Sequence, residues 1–418
     1  MSFCIYGHWV CPFSLAVLSA SFLFADDPVP RRTLTVEECL ARVVERNPDL
    51  KAGAYRTEAA VSRAKQAELR LNPRLETEVE NVAGTGDTHG FQAAESTASL
   101  VQEVEWGDKR PSRSAAAEAE VAVRRADEAA LRHAALFDAR RAVLAVLLAQ
   151  ERLHLGEETL ALVRETEAVV LAREQAGKAT AVETERARTE VARAEIDVQA
   201  GKAAQRDAVR ELALCWGETE PTFDAVSGSL AVPATDELPP PDGLVARAAN
   251  NPVLLAAEAQ TRLAEANLRV EKAARKPNIE LAAGIRRFEA SDDIGFVAGL
   301  GVELPLFNNN RHAVRAAERD AEASRLDAVA VRLKNESFVR RLCAKLQTLV
   351  AREAQLRATV VPSAERALAL VREAYKQGKV GQLDVLEARR SLTEAQLDAL
   401  HAAVEYLACR IELDQRVP

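Results

Sequence analysis

Two prolines 204 residues apart, Pro73 and Pro277, each end a helix-period run and open an alternating one. Before Pro73 the apolar residues fall at helical spacing in a stretch rich in Ala, Glu and Arg. After it, Leu75, Thr77 and Val79 alternate with Glu76, Glu78 and Glu80, the period-two pattern of a strand with one polar face. "ARKPNIELAAGI", residues 274–285, repeats the event. Pro48 and Pro252 share the offset of 204, while Arg110 and Arg311, and Gly177-Lys178 and Gly378-Lys379, are offset by 201. The chain is therefore two copies of one unit of about 200 residues, and such a repeat fixes the architecture before any single element does.

Each unit opens with a short helix, capped in the first copy by Thr35 and Glu38. A second helix runs from about Pro48 to Leu71, since proline suits a first helical turn. Strands are predicted near 74–83 and 97–106, and again near 278–287 and 295–305, joined as hairpins by "AGTGDTHG" and "EASDD". Very long helices follow, about 112–176 and 312–377, each roughly 100 Å at 1.5 Å per residue. Gly177 and Gly378 end them, as residues able to adopt the left-handed conformation. Antiparallel return helices cover about 180–216 and 381–414. The predicted organisation is a first repeat over 26–216, a Pro- and Gly-rich linker over 217–243, and a second repeat over 244–418.

Only 4% of the residues are aromatic against 48% hydrophobic, which favours long helices packed through small side chains. The net charge is −8, with bases interspersed among acids, so no nucleic-acid partner is expected. Residues 9–24 are apolar or small and Ala25 precedes two aspartates, reading as a secretory signal over 1–25 with a mature start at Asp26. Cys39, Cys215, Cys343 and Cys409 stand singly, without metal-ligand spacing, and read as small buried hydrophobes. No catalytic or cofactor motif is found, so no enzyme activity, cofactor or metal site is expected.

A 100 Å helical hairpin cannot bury itself, and a two-stranded hairpin is marginal alone. Strands of about ten residues have membrane-spanning length, and open edges are not viable in lipid. Four strands per chain are too few to close a barrel, whereas three chains supply twelve, an even number within the bacterial range. The predicted fold is mainly α with a β membrane part.

This order of helix, strand hairpin and long helical hairpin resembles the TolC family of outer-membrane efflux proteins over essentially the whole chain after the signal. "YKQGKVGQLDVLEARRSL", Tyr375 to Leu392, is similar to the family's Y-x-x-G-x(5)-D-V-L-x-A segment. "QEVEWGDKR", 102–110, is similar to an element of its heavy-metal efflux branch, with Asp108 in place of a second Gly. The resemblance implies a homotrimeric α-barrel through the periplasm topped by a twelve-stranded barrel in outer-membrane lipid. It implies a passive exit duct of a tripartite efflux or type I secretion-like system. The implied partners are a periplasmic adaptor (membrane fusion) protein and an inner-membrane transporter of the RND type.

Asp384 and Glu387 are i,i+3 and share a helix face. Threefold symmetry would make them two acidic rings that attract cations at the periplasmic mouth; the alternative is a pair of solvated charges. In the family prototype acidic residues here line the entrance, and a tyrosine matching Tyr375 helps to lock it. The prototype's locking arginine falls at Val380, so that link must be absent or differently built. Glu183 occupies the place of Asp384 in the first copy and is placed to accept a hydrogen bond from Tyr375. Gly177, Lys178, Gly378 and Lys379 form the expected adaptor-docking tips. Pro362, inside the second long helix, predicts either a bend that tapers the duct or a local irregularity. The competing functions are a periplasmic adaptor, which has one such hairpin, and an elongated coiled-coil structural protein, which needs no strand pairs.

Overall fold

The computed structural model describes residues 32–233 and 240–417; the signal over 1–25 and the start at Asp26 lie outside the described residues. Three layers succeed one another along the molecule: a β-sheet, a middle layer with two apolar cores, and a helical tip.

The sheet contains β2 (Arg74–Glu80), β3 (Glu95–Val104), β5 (Ile279–Phe288) and β6 (Asp293–Val302). Its order is β2-β3-β5-β6, antiparallel throughout. The two hairpins are thus joined into one sheet by the pairing of β3 with β5, from Glu95 opposite Phe288 to Val104 opposite Ile279. The alternation read from the sequence holds across all four strands. Leu75, Leu100, Ala283 and Ala298 lie in one cross-strand row, and Thr77, Ala98, Ile285 and Phe296 in the next. That face is apolar and uncovered, with Phe296 93% and Leu300 73% exposed. The opposite face carries Glu76, Glu78, Glu80, Glu95, Glu280 and the glycines of β6. Arg286 bridges Glu80 and Glu95 there at 3.0 and 2.8 Å. Both outer edges, β2 and β6, lack a further strand partner among the described residues.

Helix starts reflect the local chemistry. In α1 (Val36–Arg46) the Glu38 amide donates to Thr35 Oγ1 at 3.2 Å, and the Thr35 amide donates back to the Glu38 carboxylate at 3.0 Å. Pro48 and Pro252 open α2 (Pro48–Glu68) and α6 (Pro252–Ala274), behind Asn47 and Asn251, whose side chains accept from the first-turn amides. A short α5 (Pro241–Ala248) precedes α6.

The middle layer corrects one expectation. Residues 217–243 are not only a linker: Ala225–Ser227 forms β4, paired in parallel with β1 (Thr33–Thr35). Phe223 and Val226 from this stretch, with the adjoining Trp216, are buried with Leu34, Cys39 and Val43 against the first long hairpin. The second copy builds its counterpart from Leu244, Val339, Leu346, Tyr406 and Leu413. Cys39, Cys343 and Cys409 are buried and Cys215 is half-buried, all four unbridged. Burial pushes the Cys39 and Cys409 thiols up to about 11, which makes them inert hydrophobes at neutral pH.

The first long helix, α3 (Lys109–Gln175), is unbroken and returns as α4 (Ala181–Leu214). At 1.5 Å per residue it sets about 100 Å between sheet and tip. The second is not continuous as expected. It consists of α7 (Arg311–Gln355), a five-residue π segment (Leu356–Val360) and α8 (Val361–Lys376), and it returns as α9 (Gln382–Arg416). Pro362 sits in the first turn of α8, so the irregularity precedes it. A proline deeper in an α-helix costs about 3 kcal/mol by removing a hydrogen bond and crowding the i−4 carbonyl; the wider turn relieves that clash.

Candidate functional site

The two helical hairpins end side by side, and their turns are built alike. The Gly177 and Lys178 amides donate to the carbonyls of Glu174 and Arg173, both at 2.8 Å. The Gly378 and Lys379 amides donate to those of Tyr375 and Ala374, both at 2.9 Å. These paired bonds satisfy the last carbonyls of each helix and require the left-handed backbone, seen as φ of +68° at Gly177 and +73° at Gly378. No atom lies within 4 Å of a Cβ added at either glycine, so a substitution there meets strain alone. Gly378→Val is expected to destabilise the turn by about 1–2 kcal/mol, and Gly378→Asn by less, because Asn tolerates this region. Hydrogen exchange of the amides at 376–382 should accelerate in the valine variant; equal rates would contradict this account of the turn.

Below the turns the first copy grips Tyr375 of the second. The ring is buried with Val170, Ala187 and Val385. Its hydroxyl donates to Glu183 Oε2 at 3.3 Å. The Arg173 guanidinium lies 4.4 Å from the ring centroid and donates to the Tyr375 carbonyl, adding a cation–π contact in a partly desolvated place. Burial, then the Glu183 charge, raise the Tyr375 pKa, so the phenol stays a donor at neutral pH. Besides Tyr375, two further contacts hold Glu183: its carboxylate closes the capping box of α4 with Thr180, and its carbonyl accepts from Gln382 at 2.9 Å. Val380 packs beside this cluster. At the tyrosine the cation is therefore Arg173, supplied by the other copy.

Asp384 and Glu387 are both exposed on α9. Asp384 also accepts from the Gly381 amide at 2.8 Å, which steadies the start of that helix. Lys178 and Lys379 are exposed at the turns.

One further contact escaped the sequence. Glu190 and Arg389 form an ion pair between α4 and α9, each side chain only 12% exposed. Arg193 and Arg390 flank Glu190 at 3.2 and 3.8 Å. Arg173 corresponds to Ala374 in the second copy and Glu190 to Ser391, so the only signal was a break in repeat symmetry. Among the described residues there is no group of three or more His, Cys, Asp or Glu side chains that could hold a metal ion. No helix among them is long and apolar enough to cross a membrane.

An apolar sheet face on one end of 100 Å helical hairpins that close on a polar tip is the build of an outer-membrane duct. The outer membrane efflux protein family matches this chain twice, over residues 40–218 and 244–416, and the chain belongs to that family. It is 29% identical to the cobalt-zinc-cadmium resistance protein CzcC of Cupriavidus metallidurans, over 92% of this chain and 93% of that protein. It is 31% identical to the nickel-cobalt-cadmium resistance protein NccC of Alcaligenes xylosoxydans xylosoxydans, over 68% of this chain and 64% of that one. The fold matches the solved structure of CusC with a TM-score of 0.77 at 19% identity, covering 93% of this chain and 92% of that one. It matches the outer-membrane channel OprN at 0.76 and 17% identity, covering 91% and 89%. The chain is an outer-membrane efflux channel that extends into the periplasm, and its family comprises channels that work with adaptors and inner-membrane pumps. This reading displaces the adaptor and the coiled-coil structural protein.

Proposed function

We propose that three copies assemble into one duct that carries heavy-metal cations out of the cell. The observation that carries the assembly is the sheet with two unpaired edges and an uncovered apolar face. Unpaired backbone groups in lipid cost several kcal/mol each, and three such sheets close edge to edge into twelve strands. The metal cargo is supported by the relatives, which are named for cobalt, zinc, cadmium and nickel resistance. The partners are a periplasmic adaptor, met at Gly177, Lys178, Gly378 and Lys379, and an inner-membrane transporter of the RND type.

Tyr375 and Glu183 hold the two hairpins of each chain together at the periplasmic mouth. Threefold symmetry turns Asp384 and Glu387 into six carboxylates around it, a field that concentrates cations. The test is single-channel recording on the purified protein carrying both Asp384→Asn and Glu387→Gln. An asparagine can still accept from the Gly381 amide, so the helix start survives while the charge is removed. The cation-to-anion permeability ratio should fall at least twofold with assembly unchanged. An unchanged ratio would reduce both residues to solvated surface.

A further inference from the structure

The second long helix changes its buried register at one point. Upstream, the inward residues are Asn335, Val339, Leu342, Leu346, Leu349 and Glu353, with Leu356 half-buried. These are the alternating four- and three-residue steps of a heptad seam. Continued, that rhythm reaches Val360, Ser363, Ala367 and Leu370. All four are exposed, Leu370 at 73%. The residues that face inward are Val361, Ala364, Leu368, Val371 and Tyr375, each one position late.

The first copy has no such slip. Its seam runs through the buried Ala139, Val146, Ala149, Val163 and Val170 in whole heptads and half-heptads, along a helix that is α throughout. Measured against its own heptad seam, the second helix thus carries one extra residue between Leu356 and Val361. That interval is Leu356–Val360, the only π segment among the described residues.

A π turn closes i→i+5 bonds and so takes up one residue without rotating the remainder of the helix. Pro362 comes directly after it. Having no N–H, it cannot bond back to the Ala358 carbonyl, and its ring would crowd that carbonyl in an α-helix. We infer that Leu356–Val360 and Pro362 together are a phase-correcting joint whose role is to position Tyr375. The wide turn absorbs the added residue, and the proline blocks relapse to α geometry. Without the correction Tyr375 would swing about 100° around the helix axis, away from Glu183 and Arg173. The joint is a positioning element, and the inference holds whether or not Tyr375 acts as a gate.

Deletion of a residue from a long helix normally throws its far end off register, and here one particular deletion should not. In the full-length membrane protein, Tyr375→Cys and Glu183→Cys are joined by a short bismaleimide. Removing Ala358 together with Pro362→Ala should keep the cross-link within twofold of the parent, because an uninterrupted helix then carries the seam in phase. Removing Ala369 instead, with Pro362 in place, should lower it at least tenfold. Equal losses from the two deletions would overturn the inference. So would failure of the Ala358 deletion variant to assemble, since the joint would then be more than a phase correction.

Discussion

Phe296→Arg is expected to lower the stability of the membrane sheet by about 2–4 kcal/mol, the cost of a charge on the lipid face of a barrel near its midplane. Phe296 is 93% exposed within one chain and lies beside Ile285 near the middle of β6, so in the proposed barrel its ring meets lipid. Val297, the next residue, pairs with Gly284 on the opposite, polar face. Val297→Arg should therefore insert and keep its stability, with an altered conductance. Urea unfolding in lipid vesicles separates the two variants. Equal destabilisation by both would mean that the two faces are not lipid and lumen.

The second large effect is expected at Glu190. Its pair with Arg389 joins the return helices of the two copies, and both side chains are nearly out of water. Glu190→Ala leaves a buried guanidinium without its counter-charge, which costs about 3–5 kcal/mol when one partner of a buried pair is removed. Glu190→Leu combined with Arg389→Met should recover most of that loss, because an apolar pair of similar volume suffers no desolvation penalty. Denaturant unfolding of the detergent-solubilised protein reads both. A loss below about 1 kcal/mol for Glu190→Ala would place the pair with ordinary surface ion pairs.

The sequence exposed whatever depends on neighbours in the chain. The capping box at Thr35 and Glu38, the prolines opening α2 and α6, the glycine turns at 177 and 378 and the alternation of the strands are local devices, and each appears where its residues predict it. The strand ends shifted by up to three residues, because the alternating pattern does not itself say where pairing stops. The hidden parts are long-range. Arg173 with Tyr375, and Glu190 with Arg389, meet across about 200 residues, and an arginine on a helix bears no mark of the ring or carboxylate it will find. The strand at Ala225–Ser227 has three residues, too short for a period to show among the prolines and glycines around it. Pro362 drew attention to the right place, but the added residue is visible only once burial reveals the seam.

Closure of the sheet by neighbouring copies is the claim on which the duct rests. Four strands alternate in direction, so β6 of one chain and β2 of the next run antiparallel. The most direct measurement is disulfide formation between these edges in the outer membrane, with Val79→Cys in β2 combined in turn with Phe296→Cys, Ala298→Cys or Leu300→Cys in β6. The account predicts that one of these registers yields a covalent trimer on a non-reducing gel. Covalent dimers as the largest species, or no cross-link in any of the three registers, would contradict it.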